Sequence, residues 1–534
     1  MSLFIRSPQR RIESGPISQA ADGREIDELM TAPRSRPGRR WSPGGSAIAT
    51  LFGAALVSVP AAQKLPAQSE LPRFERGDCL VNGEWTPVVV RDCGWLLVPE
   101  SRDRRTSKVV RLAVEIFRAK EPSEAPPLVM LHGGPGGPGG IQLYSGGVAK
   151  SPLTHHRDVV IYDQRGAGLS EPKLCRAYDA AADSAYNLRE GAEKEKQLRE
   201  ARRACVAELD EKGVDRLAYN TAANVADLID LRRTLGYTSW DVRGSSYGGR
   251  LAQEAMVRDG PAIRSVMLVS PMARSFSTQS EQPLSTQRAF ERLFAACRLQ
   301  PSCRDSFPTV DQDFDAVYAN LKKSPLLVSV AALDGPRDTV WLDGERLVAS
   351  IRERFGTSTG LGRVPLLLHE LRSGDRSRAA REIIGDDPVP RRLANRALRE
   401  LVNCYDDYGP TSRKALETAN ARARPPFRRG VSRDCEQWLP RFEASTRTPV
   451  RSDIPTLILT GYFDDRTPTE HARRIASTLG RAYVVEFPDE GHDARPSRCH
   501  WAIGLQFWED PSRPPDTSCV ETIPPIAFAT TWEP

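Results

Sequence analysis

Among the ten cysteines of this 534-residue chain no two stand in a C-x-x-C pair, only seven residues are histidine, and no apolar run is long enough to cross a bilayer. The missing C-x-x-C spacing disfavours a structural zinc site, and no metal or cofactor is expected. The longest uncharged apolar run, Ala47 to Val59, falls short of the ~20 residues a spanning helix needs. A strong excess of one charge is also lacking. The net charge is +6, and half of it sits in residues 1–62, where eight Arg face five Asp and Glu. So small a surplus gives no basis for a nucleic-acid partner. No internal repeat and no long low-complexity segment is visible, which sets aside solenoid and fibrous architectures.

The N-terminus has the order of a secretory signal. Arg34, Arg36, Arg39 and Arg40 precede the apolar run, and the small residues Ala61 and Ala62 follow it, as the n-region, h-region and cleavage site do. These features begin only after Met30, so the first 29 residues read as an upstream start. All ten cysteines lie beyond this leader, and an even number in an exported chain points to disulfides. Their clustering in twos predicts pairing of neighbours: 79–93, 175–205, 297–303, 404–435 and 499–519. A secreted or periplasmic location is expected, with no stable membrane insertion once the signal is removed.

Strand-like runs fall at Trp95–Val98, Val109–Phe117, Leu128–Leu131, Val159–Tyr162, Trp240–Val242, Ser265–Val269, Thr456–Leu459 and Ala482–Phe487. Helical patterns such as Asn224–Leu235 and Glu470–Leu479 alternate with several of them, as a mostly parallel α/β sheet requires. The alternation stops between about Pro271 and Val450, where helical periods dominate (Gln287–Leu299, Phe314–Leu321, Gly344–Phe355, Arg392–Val402). That stretch is expected to be an inserted cap, and within it the basic run Arg422–Arg429 reads as a solvated loop.

One short stretch carries chemistry. Thr238–Arg243 reads as a strand ending at Gly244, and Arg250–Arg258 has the apolar spacing of a helix. A serine at the apex of so sharp a turn needs small residues two positions before and after it. Ser246 meets this with Gly244 and Gly248, whereas Ser245 is flanked by Arg243 and Tyr247. A bare G-x-S-x-G also occurs in ordinary glycine turns, so its surroundings decide. Strand Leu128–Leu131 runs into His132-Gly-Gly-Pro-Gly-Gly-Pro-Gly-Gly140, a loop able to present backbone N–H groups to an oxyanion. The expected donors are the N–H groups of Gly134 and Tyr247. In a hydrolase of this topology the acid and then the histidine follow the serine. Three histidines come late enough: His471, His492 and His500. His471 falls in a helical pattern and His500 follows no strand, but His492 sits just past Ala482–Phe487. The strand Thr456–Leu459 leads to Asp464 and Asp465, either of which could hold the imidazole in the working tautomer.

Several motifs taken together, His132–Gly137, Asp163-Gln-Arg-Gly-Ala-Gly-Leu-Ser170, Gly244–Gly249, the D-x-x-T-P of Asp464–Pro468, and Gly491-His492, make the chain similar to the proline iminopeptidase and tripeptidyl aminopeptidase family of α/β hydrolases. The likeness runs from about Leu71 to the C-terminus. It implies an α/β-hydrolase fold with a core in residues 71–271 and 451–534 and a mainly helical cap in 272–450. It implies Asp464 rather than Asp465 as the acid, and Asp163 with Arg165 as a buried ionic support. The paired cysteines, with Cys435 close to Trp438, resemble the exported tripeptidyl aminopeptidases more than the small cytosolic iminopeptidases. The implied function is an exported serine hydrolase with a Ser-Asp-His triad that releases N-terminal residues or short peptides. An esterase or amidase acting on small molecules is the alternative, and a non-catalytic binding protein of the same fold a third. In that family carboxylates of the cap hold the free amine. Asp406 and Asp407 are the candidates here, their other reading being a solvated acidic turn. Where the family commonly has Leu-Asp-Gly, this chain has Ser270-Pro-Met-Ala, a departure that bears on substrate preference.

Overall fold

Two runs with no polar side chain but one tyrosine, Leu128–Leu131 and Val159–Tyr162, form strands in which every residue is buried, as the interior of a parallel sheet requires. The computed structural model describes residues 70–532 except 81–89, 190, 276, 331–337, 386–394, 408–409, 431–434, 440–446 and 493–496. The leader, residues 1–62, lies outside the described residues. Among those described the strands are β1 (Arg73–Gly77), β2 (Arg91–Pro99), β3 (Val109–Phe117), β4 (Leu128–Leu131), β5 (Val159–Tyr162), β6 (Trp240–Ser245), β7 (Ile263–Val269), β8 (Leu326–Val330), β9 (Asp338–Leu342), β10 (Thr456–Gly461) and β11 (Ala482–Phe487).

Nine of them make one sheet in the order β1-β2-β3-β5-β4-β6-β7-β10-β11. The first three strands pair antiparallel with one another and β3 pairs antiparallel with β5, while every pair from β5 to β11 is parallel. Alternate residues of each central strand feed opposite faces. Val129, Leu131, Val160 and Tyr162 belong to one apolar cluster, and Leu128, Met130, Val159 and Ile161 to another. Helices fill the crossovers, among them Thr221–Thr234 before β6, Tyr247–Arg258 after it, and Thr469–Ala476 between β10 and β11. Among the described residues no helix is long and apolar enough to cross a membrane.

Between β7 and β10 the chain leaves the sheet and forms helices including Thr278–Leu299, Val310–Lys323, Gly344–Arg354, Ser358–Ser373 and Arg396–Asp406, with β8 and β9 as an antiparallel hairpin. This insertion has an aromatic centre. The rings of Phe314, Phe355 and Phe427 each lie 5.1 Å from that of Phe290. Phe427 corrects the expectation of a solvated loop at Arg422–Arg429: Phe427 and Ala423 are buried, and Arg424 pairs with Asp315.

The five disulfides join consecutive cysteines: Cys79–Cys93, Cys175–Cys205, Cys297–Cys303, Cys404–Cys435 and Cys499–Cys519. The buried ionic support differs from expectation in its pairing. Arg165 is fully buried, and its Nε and Nη2 donate to Asp227 at 2.7 Å each, while its Nη1 donates to the carbonyls of Glu100 and Ala218 at 2.6 and 2.8 Å. Asp163 instead accepts the backbone N–H groups of Ile141 (3.0 Å) and Leu169 (2.7 Å). Arg165 therefore clamps the loop after β5 to the helix Thr221–Thr234, and Asp163 ties that loop to the glycine loop after β4.

Candidate active site

The turn from β6 into the helix Tyr247–Arg258 is tight enough to fix its residues. A Cβ on Gly244 would stand 2.3 Å from the carbonyl oxygen of Gly248, and one on Gly248 would stand 2.2 Å from that of Leu131. Ser246 at the apex has φ 52° and ψ −116°, a strained conformation for a residue with a side chain. Its backbone is held from both sides: its N–H donates to Val269 O at 3.0 Å, and its carbonyl accepts the N–H groups of Gly249 and Met272 at 2.9 Å each. The hydroxyl is thereby lifted off the sheet. Ser245 remains within β6, paired with Val269.

His492, just past β11, brings Nε2 to 3.0 Å from Ser246 Oγ. Its Nδ1 lies 3.0 Å from both oxygens of Asp464, on the loop after β10. The Asp464 carboxylate also accepts the N–H groups of Arg466 (2.9 Å) and Thr467 (2.8 Å) at Oδ1. Burial alone would raise this carboxyl, but the His492 ring and the bonds from Thr467 outweigh it and hold Asp464 well below the usual carboxylate range. Asp464 is thus an anion, placed to orient the His492 ring and to stabilise positive charge that develops on it. Asp465 points elsewhere. It is fully buried and pairs at 2.5 Å with Nε of Arg352, from an insertion helix.

The sequence pattern assigned no role to Thr467, although the residue stands inside the D-x-x-T-P motif. Its hydroxyl lies 2.9 Å from Asp464 Oδ2, 3.0 Å from His492 Nδ1 and 2.8 Å from Ser270 O. Ser270 has φ 44°, and its carbonyl is the acceptor that turns the Thr467 side chain toward Asp464 and His492. The other late histidines are occupied at a distance from the serine: His471 faces Glu281, and His500 stacks on Phe487 at 3.7 Å with Nε2 3.2 Å from Glu490.

The glycine loop reaches the serine at Gly133, whose Cβ position would lie 2.9 Å from Ser246 Cβ and 3.5 Å from its Oγ. Gly134 follows, solvent-exposed with φ 129°, and Tyr247 is the first residue of the helix, where an N–H has no partner within the helix. His132 anchors the loop. Its Nδ1 donates to Gly133 O at 2.8 Å and its Nε2 accepts the Gln164 N–H at 3.4 Å; burial pushes the ring down to about 4, partly offset by the bond to Gly133. Asp406 and Asp407 are not a solvated turn but buried groups. Asp406 accepts the N–H and hydroxyl of Thr221 at 2.9 and 2.6 Å, and that hydroxyl lies 3.0 Å from the Tyr247 hydroxyl. Asp407 lies 3.6 Å from Arg250. Both acids brace the helix behind the serine.

Residues 126–306 match a family described as the alpha/beta hydrolase fold, and residues 425–519 match one described as TAP-like protein. The chain belongs to the α/β hydrolase family, among its TAP-like proteins. This α/β hydrolase is similar in structure to a proline iminopeptidase of Mycobacterium smegmatis, with 16% identity over 78% of this chain and 98% of that one and a TM-score of 0.35. An esterase from Exiguobacterium antarcticum is similar at 15% identity over 79% of this chain and 98% of that one, with a TM-score of 0.30. No curated protein sequence matches the chain.

Proposed function

We propose that this hydrolase is an exported serine aminopeptidase that removes N-terminal residues or short peptides, with Ser246 as nucleophile, His492 as general base and Asp464 as orienting acid. One observation carries the proposal: a continuous chain of 3.0 Å contacts from Ser246 Oγ through His492 to Asp464. Ser246 Oγ attacks the scissile carbonyl carbon while its proton passes to His492 Nε2, and Asp464 stabilises the imidazolium that results. The N–H groups of Gly134 and Tyr247 receive the oxyanion. Collapse of the tetrahedral intermediate expels the amine with the proton from His492, and water repeats the sequence on the acyl-enzyme. Residues 272–450 serve as a cap over the nucleophile, closing one side of the pocket so that only a chain end enters. The disulfides suit an oxidising compartment reached through a signal in residues 1–62.

Replacing Ser246 by Ala is expected to abolish turnover and fluorophosphonate labelling, with a loss of roughly 10⁴-fold or more. Labelling equal to wild type would overturn the assignment. Substrate class is read by chromogenic Ala- or Pro-linked amides with free and N-acetylated amines, only the free forms being cleaved by an aminopeptidase. A second reading, an esterase or amidase on small molecules, is favoured by one observation. Asp406 and Asp407, the expected partners of a substrate ammonium, are engaged by Thr221 and Arg250. Comparable rates on free and acetylated substrates would support that alternative.

A further inference from the structure

The helix Arg396–Asp406 belongs to the insertion, yet its last residue reaches the start of the crossover helix Thr221–Thr234. Asp406, Thr221 and Tyr247 are all buried. Asp406 Oδ2 accepts two bonds from one residue, the Thr221 N–H at 2.9 Å and the Thr221 hydroxyl at 2.6 Å. A threonine hydroxyl carries a single proton, and Asp406 takes it. The 3.0 Å contact between Thr221 Oγ1 and the Tyr247 hydroxyl therefore uses a lone pair of Thr221, and the phenol is the donor. Donation runs in one direction, from Tyr247 to Thr221 to Asp406. Asn224, one turn beyond Thr221, also meets the phenol.

Asp406 is itself anchored from behind. Cys404, two residues earlier, is bridged to Cys435. Arg447 donates from Nε to the carbonyl of Asp406 at 3.2 Å and from Nη2 to that of Asp407. The next acid grips the same helix as the phenol does: Asp407 lies 3.6 Å from Arg250, which stands one turn beyond Tyr247 in the helix Tyr247–Arg258. Two consecutive residues of the insertion thus hold the first turn of the helix that follows the nucleophile, one through Thr221 and one directly.

That first turn needs holding. The φ of 52° at Ser246 is a conformation that persists only where the surroundings over-determine it. One rigid peptide plane carries both the Ser246 carbonyl and the Tyr247 N–H, so any relaxation of Ser246 swings the N–H away from its aim. The carbonyl side of the plane is fixed by the N–H groups of Gly249 and Met272. The phenol of Tyr247 fixes the other side, because a side chain tied at its far end keeps its own Cα from turning. We propose that Thr221 and Asp406 are positioning residues that aim the Tyr247 N–H at the oxyanion. The proposal rests on the reading given above, in which Ser246 is the nucleophile and Tyr247 supplies an oxyanion donor. Neither residue touches the reacting atoms; both act through the Tyr247 side chain. The insertion then does more than cover the pocket, since it supplies the carboxylate on which the aim of an oxyanion donor depends.

The test uses the full chain with p-nitrophenyl acetate as substrate and a fluorophosphonate as inactivator, so that its outcome is independent of peptidase or esterase preference. Thr221→Val and Tyr247→Phe are each expected to lower kcat and the rate constant of inactivation ~10- to 100-fold, less than outright loss of an oxyanion donor. KM should stay within about twofold, as for an interaction made only in the transition state. The phenol and the hydroxyl act as one unit, so the double variant Thr221→Val/Tyr247→Phe should lose no more than either single one. Thr221→Ser keeps the hydroxyl and should keep most of the wild-type rate, and Asp406→Asn, whose amide oxygen is a weaker acceptor, should fall between wild type and Thr221→Val. Melting temperatures verify the fold, and should Thr221→Val not fold, Tyr247→Phe, which removes a single oxygen, carries the test alone. Wild-type kcat in Tyr247→Phe, a loss expressed in KM, or losses that multiply in the double variant overturn the proposal. In any of these cases an inactive, unlabelled Ser246→Ala shows that the nucleophile assignment still stands. Turnover and labelling that survive in Ser246→Ala overturn that assignment and this proposal with it.

Discussion

At the scale of single residues, two adjacent aspartates have been given different work. Asp464 faces His492 and is kept ionised, whereas Asp465 is spent on Arg352. Replacing Asp464 by Asn is expected to lower kcat by about 10⁴-fold with little change in melting temperature, because the imidazole loses its orienting partner. The same change at Asp465 leaves Arg352 without its anion and should cost about 3 kcal/mol of stability, seen as a lower urea midpoint, with a much smaller effect on kcat. The reverse ranking of rates would move the acid one residue along. Thr467 offers a third case. Its single hydroxyl proton has two acceptors, Ser270 O and Asp464 Oδ2, so the side chain holds acid, base and strand end in register. Thr467→Val preserves the shape and removes these bonds, and kcat should fall ~10- to 100-fold, the equivalent of roughly 1.5–3 kcal/mol for a bond to a charged group. Burst kinetics would place the loss in acylation. Ser246 and His492 were legible because each stands at the end of an apolar strand in a recognisable turn. The roles of Thr467 and Asp227 were not, because an isolated threonine or a helical aspartate carries no periodic signal, and only the folded chain shows what each one faces.

At the scale of elements, the central strands were legible as short apolar runs, since burial on both faces leaves no room for polar alternation. β1, with the sequence RFERG, escaped notice because an edge strand with exposed residues has no such run. The helix Ala192–Glu211 escaped because it is charged over most of its length and buries only Arg202, Cys205 and Leu209. The loops after β4 and β5 form a pair with opposed proton chemistry. His132 is pushed down to about 4 by burial, and Asp163 is pushed up to about 6, again chiefly by burial and despite the backbone N–H groups it accepts. Between pH ~4 and ~6.5 the unfolded chain binds more protons at His132 than the folded one, so this residue's contribution to stability is lost on acidification. At Asp163 the folded chain binds the extra proton between pH ~4 and ~6, so its contribution falls as pH rises. Each is worth about 3 kcal/mol, and over the shared window they offset one another. Urea midpoints of the wild type should therefore show little dependence on these two groups between pH 4 and 6. In His132→Gln the Asp163 slope stands alone, and the variant should lose stability as pH rises through that window; a slope equal to wild type would refute the account.

At the scale of the whole molecule, the serine, the acid and the histidine come from three separate strand ends, and the insertion lies in the chain between the first and the second. The disulfides are by contrast local. The Cys404–Cys435 bridge closes a loop of 31 residues and Cys297–Cys303 one of 6, so removing the first by paired Ser substitution should cost about 4 kcal/mol and removing the second about 2 kcal/mol, measured by thermal melting. The pairing order has a consequence for how the chain matures. The cysteines pair in order of appearance, first with second, third with fourth and so on, so a chain exported N-terminus first, as proposed above, would meet every correct partner before any wrong one from a later pair had arrived. On that route oxidation would keep pace with translocation, and no bridge would have to be broken and remade once the last residue was through.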